Sequence, residues 1–312
     1  MREIQNLQIE ISTHCNSNCI MCPIPYMKRE RRFMDIGLYK KIIDDMPRAY
    51  DKSVAPFLNG EPLLNPDILE YLRYTKMKLP MAKVGLFTNG SLIDKFHEEI
   101  LKDDLLDNIT FSFDGGDKES YEKVRRGLSF DKVSNNIHNF IRVRNRMGKI
   151  KPTVYISMVV VDENRDSIKK FKDNFKDADS VGIHKEFNFC IGRNKKRNML
   201  WYFFNKQDYC QRLESSITVL VDGKVSICCF DYEGKEIIGD VKKESVMNIW
   251  YGKKMKSKIE LLKKRKFESL PLCSKCNFIE HNVVSQQVIK MESILRKVGI
   301  FNMIKDVWVK SK

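Results

Sequence analysis

Between residues 7 and 189, six short apolar runs rich in β-formers alternate with amphipathic stretches long enough for helices, and this alternation limits the fold more than any other feature. Residues 7–13, 54–58, 84–88, 108–112, 154–161 and 181–189 read as strands. Residues 38–46, 66–77, 92–101, 130–146 and 167–175 read as helices. A helix between two strands carries the chain back across the sheet, so consecutive strands run parallel. The expectation is an α/β chain whose sheet is open, or rolled into a partial or complete barrel.

Around residue 200 the alternation stops. Residues 217–221 and 225–228 read as a hairpin, because Asp222-Gly223-Lys224 between them supplies the positive φ of a tight turn. Short helices follow at 246–251 and 255–264, and the amphipathic stretch 288–309 reads as a final helix. The expected domains are residues 1–200, a docked module at 201–285 and a helical tail at 286–312.

No apolar run reaches the roughly eighteen residues of a membrane-spanning helix, and the opening MREIQNLQIEIS lacks the basic-then-apolar pattern of a signal peptide. The reading is cytoplasmic, with no membrane partner. A net charge of +15 would suit an anionic partner, but the excess is lysine spread through residues 242–243, 253–258 and 263–266, as on solvated helix faces. That dispersal argues against nucleic acid.

Cysteine is more informative than charge. In a reducing compartment clustered cysteines hold metal or do redox chemistry, and seven of the nine fall into two groups. Cys15, Cys19 and Cys22 follow the first strand, where β/α enzymes place functional loops. Three thiolates at that spacing can ligate three irons of a cubane and leave the fourth open, whereas structural zinc wants four closed ligands, with His14 the nearest fourth.

This C-x-x-x-C-x-x-C loop after the first strand resembles the radical S-adenosylmethionine superfamily. Further segments agree: Asn59-Gly60-Glu61-Pro62 after the second strand is similar to the family's GGE/GEP segment, Thr88-Asn89-Gly90 to its TNG segment, and Ser112-Phe113-Asp114-Gly115 to its S-x-D-G segment. Tyr121 to Gly127, with Arg125 and Arg126, resembles the family's Arg-Gly segment. Met21 stands where an aromatic residue near the adenine is common. The resemblance implies a partial (β/α)6 barrel, a radical-generating [4Fe-4S] cluster on Cys15, Cys19 and Cys22, and S-adenosylmethionine held by Met21, Asn59, Gly60, Glu61, Asn89, Ser112, Asp114 and Arg126. It also implies an external one-electron donor such as flavodoxin or ferredoxin.

Cys210, Cys228, Cys273 and Cys276 form the second group. By spacing alone, four thiolates with a terminal C-x-x-C suit tetrahedral zinc. The pattern also resembles the auxiliary-cluster segment called SPASM in its short Twitch form, which implies one auxiliary [4Fe-4S] cluster with four protein ligands and a role in electron transfer.

The segment from Thr218 to Cys276 resembles short-SPASM dehydrogenases of the 2-deoxy-scyllo-inosamine dehydrogenase type. The implied reaction is dehydrogenation of a secondary alcohol in a small polar substrate, with Arg193 placed like a substrate-contacting arginine. A maturase or epimerase acting on a ribosomal peptide or carbohydrate is the alternative, in which Cys190 or Cys229 would donate hydrogen to a substrate radical. A zinc-bearing nucleic-acid-binding protein is the remote one.

Overall fold

The computed structural model describes residues 2–187, 210–264, 266 and 269–276. Cys190, Arg193 and the expected tail at 286–312 lie outside the described residues. All six expected strands form: β1 (Asn6–Ile9), β2 (Ser53–Ala55), β3 (Lys83–Thr88), β4 (Asn108–Ser112), β5 (Thr153–Val160) and β6 (Ser180–Lys185). They pair in parallel in chain order, connected by α1 (Ile36–Asp44), α2 (Ile68–Lys78), α3 (His97–Lys102), α4 (Lys118–Val124), α5 (Phe130–Arg146) and α6 (Ile168–Asn174). Capping fixes where several helices begin. Asp35 accepts from the Leu38 amide at α1 (2.9 Å), and Asp117 with Ser120 forms a reciprocal capping box at α4.

After α7 (Gln211–Ser215) come β7 (Ser216–Val219), β8 (Lys224–Ser226) and β9 (Ile237–Asp240), and then α8 (Val246–Tyr251) and α9 (Lys253–Lys263). The expected hairpin does not stand apart from the barrel strands. β7 pairs with β1 in parallel, from Asn6 with Ser216 to Ile9 with Val219, and β8 and β9 continue the sheet antiparallel. The strand order is β6-β5-β4-β3-β2-β1-β7-β8-β9. β6 and β9 are its edges, so the sheet is not closed into a barrel, as a partial barrel requires.

Side-chain alternation gives the sheet two different faces. Ile109 and Phe111 are fully buried, and Phe111 meets Phe140 of α5 edge-on with ring centroids 5.6 Å apart. Strand register extends this helix-covered face through Leu86, Ile109 and Val154. The opposite face carries Phe87, Thr110 and Tyr155 in one row and Ser112, Ser157 and Gly182 in the next. Gln8, Ala55 and Thr218 share a row on β1, β2 and β7.

The chain divides into two units. Of the described residues, the first contains those up to Phe187 and Gln211–Glu260, and the second Cys210 and those from Leu261 onward. In the second unit, Leu262 and Leu270 are buried, and Cys273–Lys275 forms a single 3-10 turn. No helix among the described residues is long and apolar enough to cross a membrane.

Candidate active site

The chain leaves β1 through Glu10 and reaches Cys15 by way of Ser12, which bridges to Phe33, and Thr13, whose amide donates to the Arg32 carbonyl at 3.0 Å. The cysteine loop is then anchored along its length. The Asn18 amide donates to the Arg126 carbonyl (2.8 Å) and the Ile20 amide to the Val124 carbonyl (3.0 Å), which ties the loop to the end of α4. Asn16 exchanges side-chain hydrogen bonds with Asn89 (2.8 Å) and Ser91 (2.9 Å). The Ser17 hydroxyl lies 3.2 Å from the Cys15 sulfur and 3.4 Å from the Cys19 sulfur. The Cys22 amide donates to the Cys19 carbonyl at 3.1 Å, and Cys276 makes the equivalent 3.2 Å turn onto Cys273. This turn brings the two ends of each C-x-x-C pair together.

The loops after β2, β3 and β4 converge on the same place. Gly60 has φ +97°, and a Cβ there would stand 2.6 Å from the His14 carbonyl oxygen, so only glycine lets the two loops meet. The carboxylate of Glu61, buried beside it, accepts from the Leu63 amide (3.1 Å), the Thr88 hydroxyl (2.7 Å) and the Asn89 amide (2.7 Å). Burial raises its pKa above the usual carboxylate value, against those hydrogen bonds and the charge of Arg125. Asp114, fully buried, accepts from the Val159 amide (2.6 Å) and pairs with Arg125 at 2.7 Å. Ser112 is half-buried on the sheet face opposite Phe111, Met21 is half-buried in the cysteine loop, and Arg126 is exposed.

Sequence reading missed a second cluster of charge. Glu10, fully buried, takes both terminal nitrogens of Arg29 (2.7 and 2.9 Å), the side-chain amide of Asn59 (2.7 Å) and the Val221 amide (2.9 Å). Arg29 also donates to the Tyr232 carbonyl at 2.7 Å. Asn59 is thus held by the residue that follows β1, and the turn after β7 by the same carboxylate. The available signal was a charged residue inside an otherwise apolar strand pattern.

Cys228 follows β8. Its sulfur accepts from the Phe230 amide at 3.5 Å, and Asp231 ties the turn by accepting from the Ser226 hydroxyl (2.7 Å) and the Glu236 amide (2.8 Å). Cys228 belongs to the first unit, and Cys210, Cys273 and Cys276 to the second.

The pattern of the Radical SAM superfamily matches residues 9–175, just over half of the chain. The chain belongs to the radical SAM superfamily. The SPASM iron-sulfur cluster-binding domain matches residues 210–277 of this radical SAM protein. It is 22% identical over 276 residues to the S-adenosyl-L-methionine-dependent 2-deoxy-scyllo-inosamine dehydrogenase of Niallia circulans, across 87% of this chain and 92% of that protein. The crystal structure of BtrN in complex with AdoMet and 2-DOIA superposes with a TM-score of 0.61 at 17% identity, covering 88% of this chain and 93% of that one. SuiB of Streptococcus suis bound to its precursor peptide SuiA superposes with a TM-score of 0.66 at 16% identity, covering 83% and 67%. The chain spans about half the length of several other curated relatives it matches. A radical SAM enzyme with a SPASM domain uses a [4Fe-4S] cluster, S-adenosylmethionine and auxiliary iron-sulfur, and it needs an electron donor.

The residues fit such a cluster. Among the described residues no three His, Cys, Asp or Glu side chains are grouped closely enough to hold one metal ion, whereas thiolates on a cubane stand on different irons. Burial raises the pKa of the Cys15 thiol and pushes that of Cys22 up to about 12. The buried Tyr121 hydroxyl beside this loop has no hydrogen-bond partner among the described residues.

Proposed function

We propose that this radical SAM protein is an oxidoreductase that dehydrogenates a secondary alcohol of a sugar- or cyclitol-like molecule. The observation that carries this reading is the similarity to an aminocyclitol dehydrogenase over 87% of this chain and 92% of that protein. The sheet face that no helix covers among the described residues supports a small polar ligand. It presents Ser112 and Ser157, with a hydrogen bond of 2.8 Å between the Tyr155 hydroxyl and His184, and Phe87 stacked on Phe57.

In this reading Cys15, Cys19 and Cys22 hold the first cluster, and Cys210, Cys228, Cys273 and Cys276 an auxiliary one. When bound, the first cluster with S-adenosylmethionine supplies a hydrogen-abstracting radical, and the second an electron acceptor. Gly60, Glu61 and Asn89 shape the wall against which S-adenosylmethionine lies, with Met21, Asn59, Ser112, Asp114 and Arg126 around it. Arg193 contacts the substrate. The electron donor is of the flavodoxin or ferredoxin class.

The deciding experiment is turnover in deuterated water, with aminocyclitols as the first substrates. Dehydrogenation yields oxidised product and deoxyadenosine in equal amounts, with the abstracted hydrogen in deoxyadenosine and no solvent label on the reacting carbon. A product one deuterium heavier at an inverted carbon would refute it, and would direct attention to Cys190 and Cys229 as thiol hydrogen donors that exchange with solvent. The likeness to a peptide-bound enzyme favours peptide modification as the second reading, and the same labelling on a peptide substrate distinguishes the two.

Replacing Cys210, Cys228, Cys273 and Cys276 by alanine tests the auxiliary site. We expect about half of the iron to go, with cleavage of S-adenosylmethionine continuing uncoupled from product. Normal product formation by that variant would remove the auxiliary cluster from the reaction.

A further inference from the structure

Tyr121 is fully buried, and its hydroxyl has no hydrogen-bond partner among the described residues. Leaving such a group unmet costs roughly 1–3 kcal/mol, and native proteins rarely leave it so. The ring has little freedom to turn toward water. It stacks on Phe113 at 4.2 Å, meets Phe130 edge-on at 5.7 Å, and its backbone seats against Gly115 so closely that a Cβ there would stand 2.5 Å from the Tyr121 Cα.

The groups around it narrow what the hydroxyl can bond. Its charged and titratable neighbours include Arg125, Asp114, Cys19 and Glu122, and Glu122 accepts from the Phe130 amide. Arginine carries no acceptor. Both Asp114 oxygens are engaged, one by the Val159 amide and the other by Arg125. No acceptor among the described residues, the Cys19 sulfur included, meets the hydroxyl, which leaves the position to a group bound beside it, and the helix that carries Tyr121 is the one whose end holds the cysteine loop through the Val124 and Arg126 carbonyls.

We propose that the Tyr121 hydroxyl donates a hydrogen bond to the sulfur shell of the cluster held by Cys15, Cys19 and Cys22, and so raises its reduction potential. A hydrogen bond to sulfur withdraws negative charge from the cluster and favours the reduced state. Tyr121 is then a positioning residue that sets how easily the donor's electron is accepted. The inference rests on the reading that these three cysteines hold the cluster.

The test is an EPR-monitored redox titration of the anaerobically reconstituted full chain, wild type against Tyr121→Phe, following the signal that changes on adding S-adenosylmethionine. We expect a more negative midpoint in the variant, lowering the reduced-to-oxidised ratio at a fixed poise about tenfold, which is 59 mV for one electron. The cluster-free variant should melt no lower than cluster-free wild type, because the deleted hydroxyl has no partner there. An unmoved midpoint at equal iron content overturns the proposal, and so does a fall in cluster-free stability, which would show the hydroxyl paired within the protein. Failure of the wild type to take up iron at Cys15, Cys19 and Cys22 would instead remove the reading on which the inference rests.

Discussion

Replacing Cys15, Cys19 and Cys22 together by alanine is expected to abolish reductive cleavage of S-adenosylmethionine and to halve the iron of the reconstituted protein, from about eight atoms to about four by the cubane count. The fold should survive, because the loop is held by backbone and asparagine bonds that do not use the sulfurs: Asn18 and Ile20 to α4, and Asn16 to Asn89 and Ser91. Iron analysis, circular dichroism and deoxyadenosine quantification together check it. Residual deoxyadenosine above background in the triple variant, or zinc in place of iron in anaerobically purified wild type, would remove the assignment of these cysteines.

The second large effect is on stability. Glu10→Ala should destabilise the protein by about 3–5 kcal/mol, the range for removing one partner of a buried ion pair. Arg29 would be left largely enclosed, and Asn59 and the Val221 amide would lose their acceptor. Urea unfolding measures this directly. Pairing Glu10→Gln with Arg29→Met should recover part of the loss, because no unpaired charge then remains buried. If Glu10→Ala unfolds at the wild-type urea concentration, the carboxylate is not the anchor its four hydrogen bonds describe.

Much of the parallel sheet was legible because buried strands between helices read as contiguous apolar runs. Their ends were not. Residues 11–13 and 56–58 read as continuations of β1 and β2 but leave the ladder, because here the backbone turns to build the site and Thr13 bonds to Arg32 instead of a strand. The helix α4 escaped notice because its seven residues offer only two large apolar anchors, Tyr121 and Val124, too few to define a period. The pairing of β7 with β1 could not be read at all, since nothing local in residues 216–219 names a partner some 210 positions earlier.

The motif residues Gly60, Glu61, Asn89 and Asp114 were legible as chemistry, and the structure adds that Glu61 and Asp114 bind protein groups. Glu10 and Arg29 were not, because an ion pair between segments that carry no shared motif leaves no spacing to recognise.

The pairing of β7 with β1 also bears on how the chain can be assembled during synthesis. β1 is made before β7, and one of its two flanks has no partner until more than two hundred further residues have emerged. Through that interval Glu10 lacks the Val221 amide and Arg29 lacks the Tyr232 carbonyl, and β1 is an unprotected edge. Such a long-range closure makes for slow, high-contact-order folding and a nascent chain open to mispairing. A fragment ending before residue 216 would therefore carry every motif of the N-terminal cysteine site and still lack the strand that finishes the sheet beneath it.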